Sequence, residues 1–269
     1  MVLADASASM VRLARRWVVD YFNSHDVSAA REFIAPDYAL EIGEYRFAGR
    51  DDQWLPAVQK QMDLFPGLGM TVHQVVASST RVAVLFTQHG ASGGRGGPVA
   101  CWSGVAIYRG DGHKLSGCVA QEDYFTRQRQ LKSGVADAID APAAAPWDTS
   151  ALPADSQAER VVRAWLGQSW PCQCTGVRCD DENVTGSALQ FEVQSGAITE
   201  LFSSGAEVAF HVRQSGRYLG GLAGIPARSY PVILHCNGIV RVQDGAVHSG
   251  RVIRDRAGLR ASLAREVGA

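Results

Sequence analysis

The sequence predicts an α+β fold built as two tandem units, and three observations carry that reading. The first half passes from helical periodicity into a run of long strands. An Ala- and Pro-rich stretch at 134–155 then shows no sustained periodicity. Beyond it, NGIVRVQDGAVHSGRVIRDRAGL repeats the order of SGVAIYRGDGHKLSGCVAQEDYF: strand, Asp-Gly turn, strand, acidic residue.

The first unit, 1–133, opens with apolar residues at Met10, Leu13, Ala14, Trp17, Val18, Tyr21 and Phe22, the stripe of an amphipathic helix that must pack against something. Asn23 to Asp26 ends it. Asp26 or Ser28 caps a short helix through Phe33 and Ile34, and Pro36 stops it. A strand follows around Tyr38 to Ile42. A third helix runs from Asp51 to Leu64, which Pro56 permits only in its first turn, and Phe65-Pro66-Gly67 ends it. Strands are then expected at Thr71 to Ala77, Arg81 to Gln88, Val99 to Tyr108 and Lys114 to Phe125. The glycine-rich turn from Ser92 to Pro98 lies between two strands and does not open a helix, so it reads as a hairpin and not as a phosphate cradle.

The second unit, 156–269, begins with a helix whose Val161, Val162, Trp165 and Leu166 share a face, and its first clear strand is Ala188 to Val193. Little sequence separates the two, so the helical layer of this unit is expected to be reduced.

Composition narrows the partners. With 26 basic and 27 acidic residues interspersed along the chain, the net charge is −1, and no strong field attracts nucleic acid or an anionic membrane. No stretch approaches the roughly 18 apolar residues of a membrane span, and the start of the chain has no signal-peptide pattern, so a cytoplasmic protein is expected. Cys172, Cys174 and Cys179 cluster as C-x-C-x4-C, which departs from the paired knuckles of structural zinc sites; they read as loop thiols, with no metal expected. Walker, dinucleotide and nucleophile-elbow motifs are missing from any supportive context, which disfavours cofactor chemistry.

In the first unit APDYALEI, FAGRDD, DLFPGLGMTVHQVV, STRVAVLFTQHG and DYFTRQRQL, and in the second AEVAFHVRQSG, GGLAGIPARSYPVIL, NGIVRV-QDG and RVIRDRAGLRASL, resemble the SnoaL-like branch of the nuclear transport factor 2-like superfamily. The resemblance implies cone-shaped units, each a strongly curved mixed sheet covered by helices around a pocket. Family members pair sheet against sheet as homodimers, so a duplicated chain is expected to form that pair internally and to act as a monomeric pseudo-dimer. It also implies a hydrophobic, polyketide-like small molecule as substrate, closed by cofactor-independent aldol chemistry on an acidic residue of the last strand.

Asp123 and Asp255 match that acidic position by their place ahead of the terminal helix of each unit. Buried in an apolar pocket, such a carboxyl titrates higher and can take a proton from the carbon beside a carbonyl. In the first unit the assignment is divided between Asp123, which is preferred, and Glu122, since neighbours on a strand point to opposite faces. Both also read as solvated charges at a strand end.

Glu41 stands where the family often has a His; facing inward, it would form a carboxylate couple with Asp123, and facing out it is a surface charge. Tyr38, Trp102 and Tyr108 are candidate pocket residues or plain core. In the second unit His235 and Arg251 are candidate binding residues. Arg251 shares a face with Asp255, and an ion pair between them would lower the Asp pKa and disable it as a base. The competing reading is a non-catalytic binding or scaffold protein of the same fold.

Overall fold

The computed structural model describes residues 2–149, 151–168, 176–180, 189–227 and 229–267. In the first half α1 (Val2–Arg15) continues into π-helical turns over Arg16–Phe22, followed by α2 (Val27–Phe33). Asp26 caps α2 by accepting from the Ser28 amide. The strands β1 (Ile34–Ile42) and β2 (Tyr45–Ala48) form a hairpin, and α3 (Leu55–Leu64) carries Pro56 in its first turn, where no backbone donor is required. Then come β3 (Gly69–Ala77), β4 (Arg81–Ala91), β5 (Val99–Gly110), β6 (Leu115–Glu122) and α4 (Tyr124–Ser133). The Ser92 to Pro98 segment closes the β4–β5 hairpin, with Gly93, Gly94 and Gly96 at positive φ.

The described residues of 134–155 contain no helix; Ala154 forms a β-bridge to Gly205, and the Ala143 amide donates to the Val72 carbonyl of β3 at 3.0 Å. The second half consists of α5 (Ser156–Gln168), β7 (Val177–Cys179), β8 (Gln190–Ser204), β9 (Glu207–Gly220), β10 (Tyr230–Gln243), β11 (Ala246–Arg254) and α6 (Arg256–Val267).

Two mixed sheets result. The first is ordered β2-β1-β6-β5-β4-β3 and the second β7-β11-β10-β9-β8. In each, one strand runs parallel to the last strand of its half, β1 to β6 and β7 to β11, and the remaining pairs are antiparallel. The edge strand β2 has no counterpart among the described residues of the second sheet.

Each sheet buries one face beneath its own helices. Residues from α1, the π-helical turns, α2 and α3, such as Leu13, Phe22, Phe33 and Met62, pack on the first. Val162, Leu166, Leu259 and Leu263 of α5 and α6 pack on the second. The opposite faces meet. Val76, Ala83, Val105 and Ile107 of the first sheet form one apolar cluster with Phe202, Ala209, Ile239 and Ile253 of the second. Burial of a side chain such as Phe202 or Ile239 stabilises that contact by roughly 1.5–3 kcal/mol each.

Polar bonds set the register between the sheets. Asn237 Nδ2 donates to the carbonyls of Val105 and Val119, at 2.9 Å each. Buried Glu200 accepts from Arg81 at 2.8 Å and from Arg109 at 2.9 Å. No helix among the described residues is long and apolar enough to cross a membrane.

Two sequence expectations need correcting here. The last strand of the first half stops at Glu122 instead of continuing to Phe125, because the side chain of Asp123 turns back to cap α4. Ala188, where the next strand was expected to begin, lies outside the described residues; from Gln190 that strand is the start of a much longer one, β8, whose bulges between Val193 and Ser195 and between Ile198 and Glu200 break the two-residue period.

Candidate active site

A cavity of about 270 Å³ lies between the first sheet and its helices, close to the lower end of the roughly 300–1,000 Å³ common for small-molecule sites. Its walls are aromatic. The π-helical turns after α1 bring Trp17 and Phe22 to the cavity with their rings stacked 5.2 Å apart. Tyr38, Leu40 and Ile42 alternate inward from β1, Tyr45 and Phe47 from β2, and Phe86 and Gln88 from β4. Trp54 packs edge-on to Tyr38 at 5.0 Å.

From β6, the residues Cys118, Ala120 and Glu122 face the same space. Glu122 is thus the acidic residue of the last strand that enters the cavity. It pairs in the ladder with Gly104, where an added Cβ would fall 2.3 Å from the Phe86 ring and 3.1 Å from Glu122 Cγ. The missing side chain at 104 lets both groups reach the cavity.

Three donors hold the carboxyl. Trp102 Nε1 donates to Oε2 at 2.8 Å and Gln88 Nε2 to Oε1 at 3.2 Å. The Tyr124 hydroxyl bonds to the same carboxyl. Gln61 Nε2 donates to Gln88 Oε1 at 2.8 Å, which turns the Gln88 amide nitrogen toward Glu122. Burial pushes the Glu122 carboxyl above the usual range; the Trp102 bond, the Arg127 charge, and the Tyr124 and Gln88 bonds oppose that rise. Arg127 itself sits over the Tyr124 ring at 4.2 Å and the Trp102 ring at 5.0 Å. Burial also raises Tyr38 and Tyr108, so both hydroxyls keep their protons.

Asp123 is elsewhere. It is buried, accepts the Thr126 amide at 3.1 Å as the cap of α4, and is ion-paired with Arg256 of the second half at 2.5 Å. The preference for Asp123 as the cavity carboxylate is therefore corrected to Glu122: the first leaves the ladder to cap a helix, the second is its last member. Of the two readings of Glu41, the structure gives the outward one. It lies on the opposite face from Leu40 and Ile42 and contacts Arg109 at 3.5 Å and Arg46 at 3.9 Å. Of the expected pocket residues, Tyr38 and Tyr108 line the cavity, while Trp102 acts on it through Glu122.

In the second half, Asp255 holds the position equivalent to Asp123. Each is the cap of the last helix of its half, accepting an amide three residues on, Gly258 for Asp255 at 2.8 Å. The residue before the cap is Glu122 in one half and Arg254 in the other. Arg254 is fully buried against Asp180, at 2.6 Å, where the first half has a cavity. Arg251 donates to Ser103 of the first sheet at 3.0 Å, and burial raises Asp255, contrary to the lowering expected from an Arg251 ion pair. His235 sits between His211, at 3.2 Å, and Glu44 of the first half, at 2.5 Å. Cys172 and Cys174 fall outside the described residues; Cys179 is buried in β7. Among the described residues, no group of three His, Cys, Asp or Glu side chains is arranged to hold a metal ion.

Residues 14–116 match a family model described as a SnoaL-like domain. Among solved structures, a protein of Jannaschia sp. CCS1 assigned as a SnoaL-like polyketide cyclase aligns at 15% identity over 47% of this chain and 94% of its own, with a TM-score of 0.43. IdmH of Streptomyces antibioticus, assigned as a polyketide cyclase, aligns at 22% identity over 45% and 96%, TM-score 0.40. An NTF2-like protein of Cytophaga hutchinsonii aligns at 17% identity over 42% and 98%, TM-score 0.35. No curated protein matches this sequence.

Gln61, Gln88 and Arg127 of the first half were not among the residues singled out from sequence. The alternation of Phe86 and Gln88 on a strand was a usable signal for one of them.

Proposed function

We propose that the SnoaL-like half is a cofactor-independent cyclase or isomerase for a hydrophobic, polyketide-like small molecule, with Glu122 as its acid/base. The observation that carries this is a carboxyl raised by burial, held by Trp102 and Gln88, at the wall of an aromatic cavity. In its ionised form Glu122 removes a proton from the carbon beside a substrate carbonyl. The resulting enolate carbon attacks a second carbonyl of the same molecule, forming the ring C–C bond. Glu122, now a carboxylic acid, returns the proton to the new alkoxide, so no electrons enter or leave. The un-ionised Tyr38 and Tyr108 hydroxyls are suited to donating to the enolate oxygen.

We further propose that 156–269 is a second, modified copy joined through 134–155, which covers the outer face of the first sheet as a built-in dimer partner. The shared strand order and the apolar cluster between the sheets support this. The chain then acts as a monomer.

Glu122→Gln tests the chemistry, assayed against linear polyketide-type substrates alongside ligand affinity. The expected result is a 10²–10⁴-fold loss of turnover with affinity retained. Unchanged turnover would remove the acid/base assignment and leave a binding protein.

A further inference from the structure

The tip of the β1–β2 hairpin belongs to both halves of the molecule. Ile42, Tyr45 and Phe47 beside the tip line the cavity. Gly43 and Glu44 at the tip touch the second half. Glu44 Oε1 accepts from His235 Nε2 at 2.5 Å and from Arg213 Nε at 3.2 Å. Gly43 is left-handed, with φ +55°, and a Cβ there would lie 2.3 Å from Asp255 Oδ2, so the hairpin backbone rests against that carboxyl.

The contact is ordered from the second half outward. The His235 and Arg213 bonds hold Glu44 below the usual carboxylate range, and an ionised Glu44 can only accept. The His235 proton on that side is therefore on Nε2, leaving Nδ1 to face His211 Nε2. His211 Nδ1 in turn meets the Thr199 hydroxyl. A row of partnered groups thus ends on Glu44.

Tyr45, next to this anchor, is 68% exposed. It borders the cavity and also a separate crevice of about 620 Å³ between the halves, lined by Ser215, Asp255 and Ser262 among others. β2 is the edge strand of its sheet, where pairing on one side alone gives the weakest hold on position. The anchor at Glu44 therefore bears directly on where Tyr45 stands.

We infer that Glu44 is a positioning residue for the cavity wall, and that ligand enters past Tyr45 from the crevice between the halves, which makes the second half part of the binding site. This rests on the cavity being the ligand site, and not on Glu122 being its acid/base. The test uses the full chain and the neutral apolar dye Nile red, followed by equilibrium and stopped-flow fluorescence, with the melting temperature recorded for each variant. Glu44→Ala and Arg213→Met are expected to weaken dye binding at least fivefold, and Glu44→Gln, which keeps an acceptor, to recover most of it. Tyr45→Ala is expected to speed both association and dissociation. Wild-type affinity and rates in Arg213→Met and Tyr45→Ala would overturn the inference even if Glu44→Ala failed to fold. A wild-type protein that binds no dye would overturn it together with the cavity reading. Unchanged turnover in Glu122→Gln would remove the acid/base assignment and leave the entrance standing.

Discussion

The indole Nε1 of Trp102 donates to Glu122 Oε2 across 2.8 Å, and this bond is the strongest single influence drawing the carboxyl back down against the burial that raises it. A hydrogen bond to a charged group contributes about 1.5–3 kcal/mol, and 1.36 kcal/mol corresponds to one pKa unit. Trp102→Phe keeps an aromatic ring and removes the donor. It should move the Glu122 titration upward by about one to two pH units, read by carboxyl carbon NMR or as the same displacement of the acid limb of turnover. A titration that does not move would show that Trp102 is a packing residue.

The same carboxyl should cost the protein stability at neutral pH. Its folded pKa is raised, so its contribution is fully present below the unfolded value and is lost as pH rises through the folded one. Glu122→Gln should therefore melt higher than wild type at pH 8, by a few °C or about 1 kcal/mol. The difference should fade on acidification toward pH 4. A variant less stable than wild type at pH 8 would contradict the direction of the shift.

Much of this was legible in the chain itself. The stripe through Leu13, Trp17 and Tyr21, the tolerated Pro56 and the order of the long strands follow from local periodicity, which needs no knowledge of partners. The phase of a strand end is different. Whether Glu122 or Asp123 faces the cavity depends on where the ladder stops, and it stops because Asp123 finds the Thr126 amide and an arginine 133 residues away. Glu41 follows the alternation: with Tyr38, Leu40 and Ile42 lining the cavity, it faces the other way, toward Arg46 and Arg109. The short strands β2 and β7 lack the length to show a period at all. Contacts such as Glu44 with His235 are tertiary and leave no trace in spacing.

The Asp123–Arg256 pair joins the halves at a buried place, where Arg256 also meets Asp180 at 3.1 Å and lies over the Phe125 ring at 5.0 Å. Removing one member of a buried pair strands the other charge, at a cost of about 3–5 kcal/mol. Arg256→Met should lower the urea midpoint accordingly while leaving the Glu122 titration in place. If instead the Glu122 titration moved with the Arg256 substitution, Asp123 and Glu122 would form one coupled site.

His211 gives the junction between the halves an acid limit. Burial, with His235 and Arg109 nearby, pushes its pKa down from 6.5 to about 3, so the folded protein holds the ring neutral while the unfolded chain protonates it. A depressed folded pKa means stability that is complete above pH 6.5 and is lost as pH falls toward about 3. Within that window the loss approaches about 1.4 kcal/mol per pH unit for this one group. Carboxylates titrate over the lower part of the same range, so the informative quantity is the difference between wild type and His211→Gln, whose amide keeps a polar contact and does not titrate. Urea midpoints collected from pH 7 to pH 4 should fall more steeply for the wild type than for the variant, with the two curves converging on acidification. Parallel curves would mean that His211 is protonated without opening the junction, and that the row from Thr199 to Glu44 accommodates the extra charge.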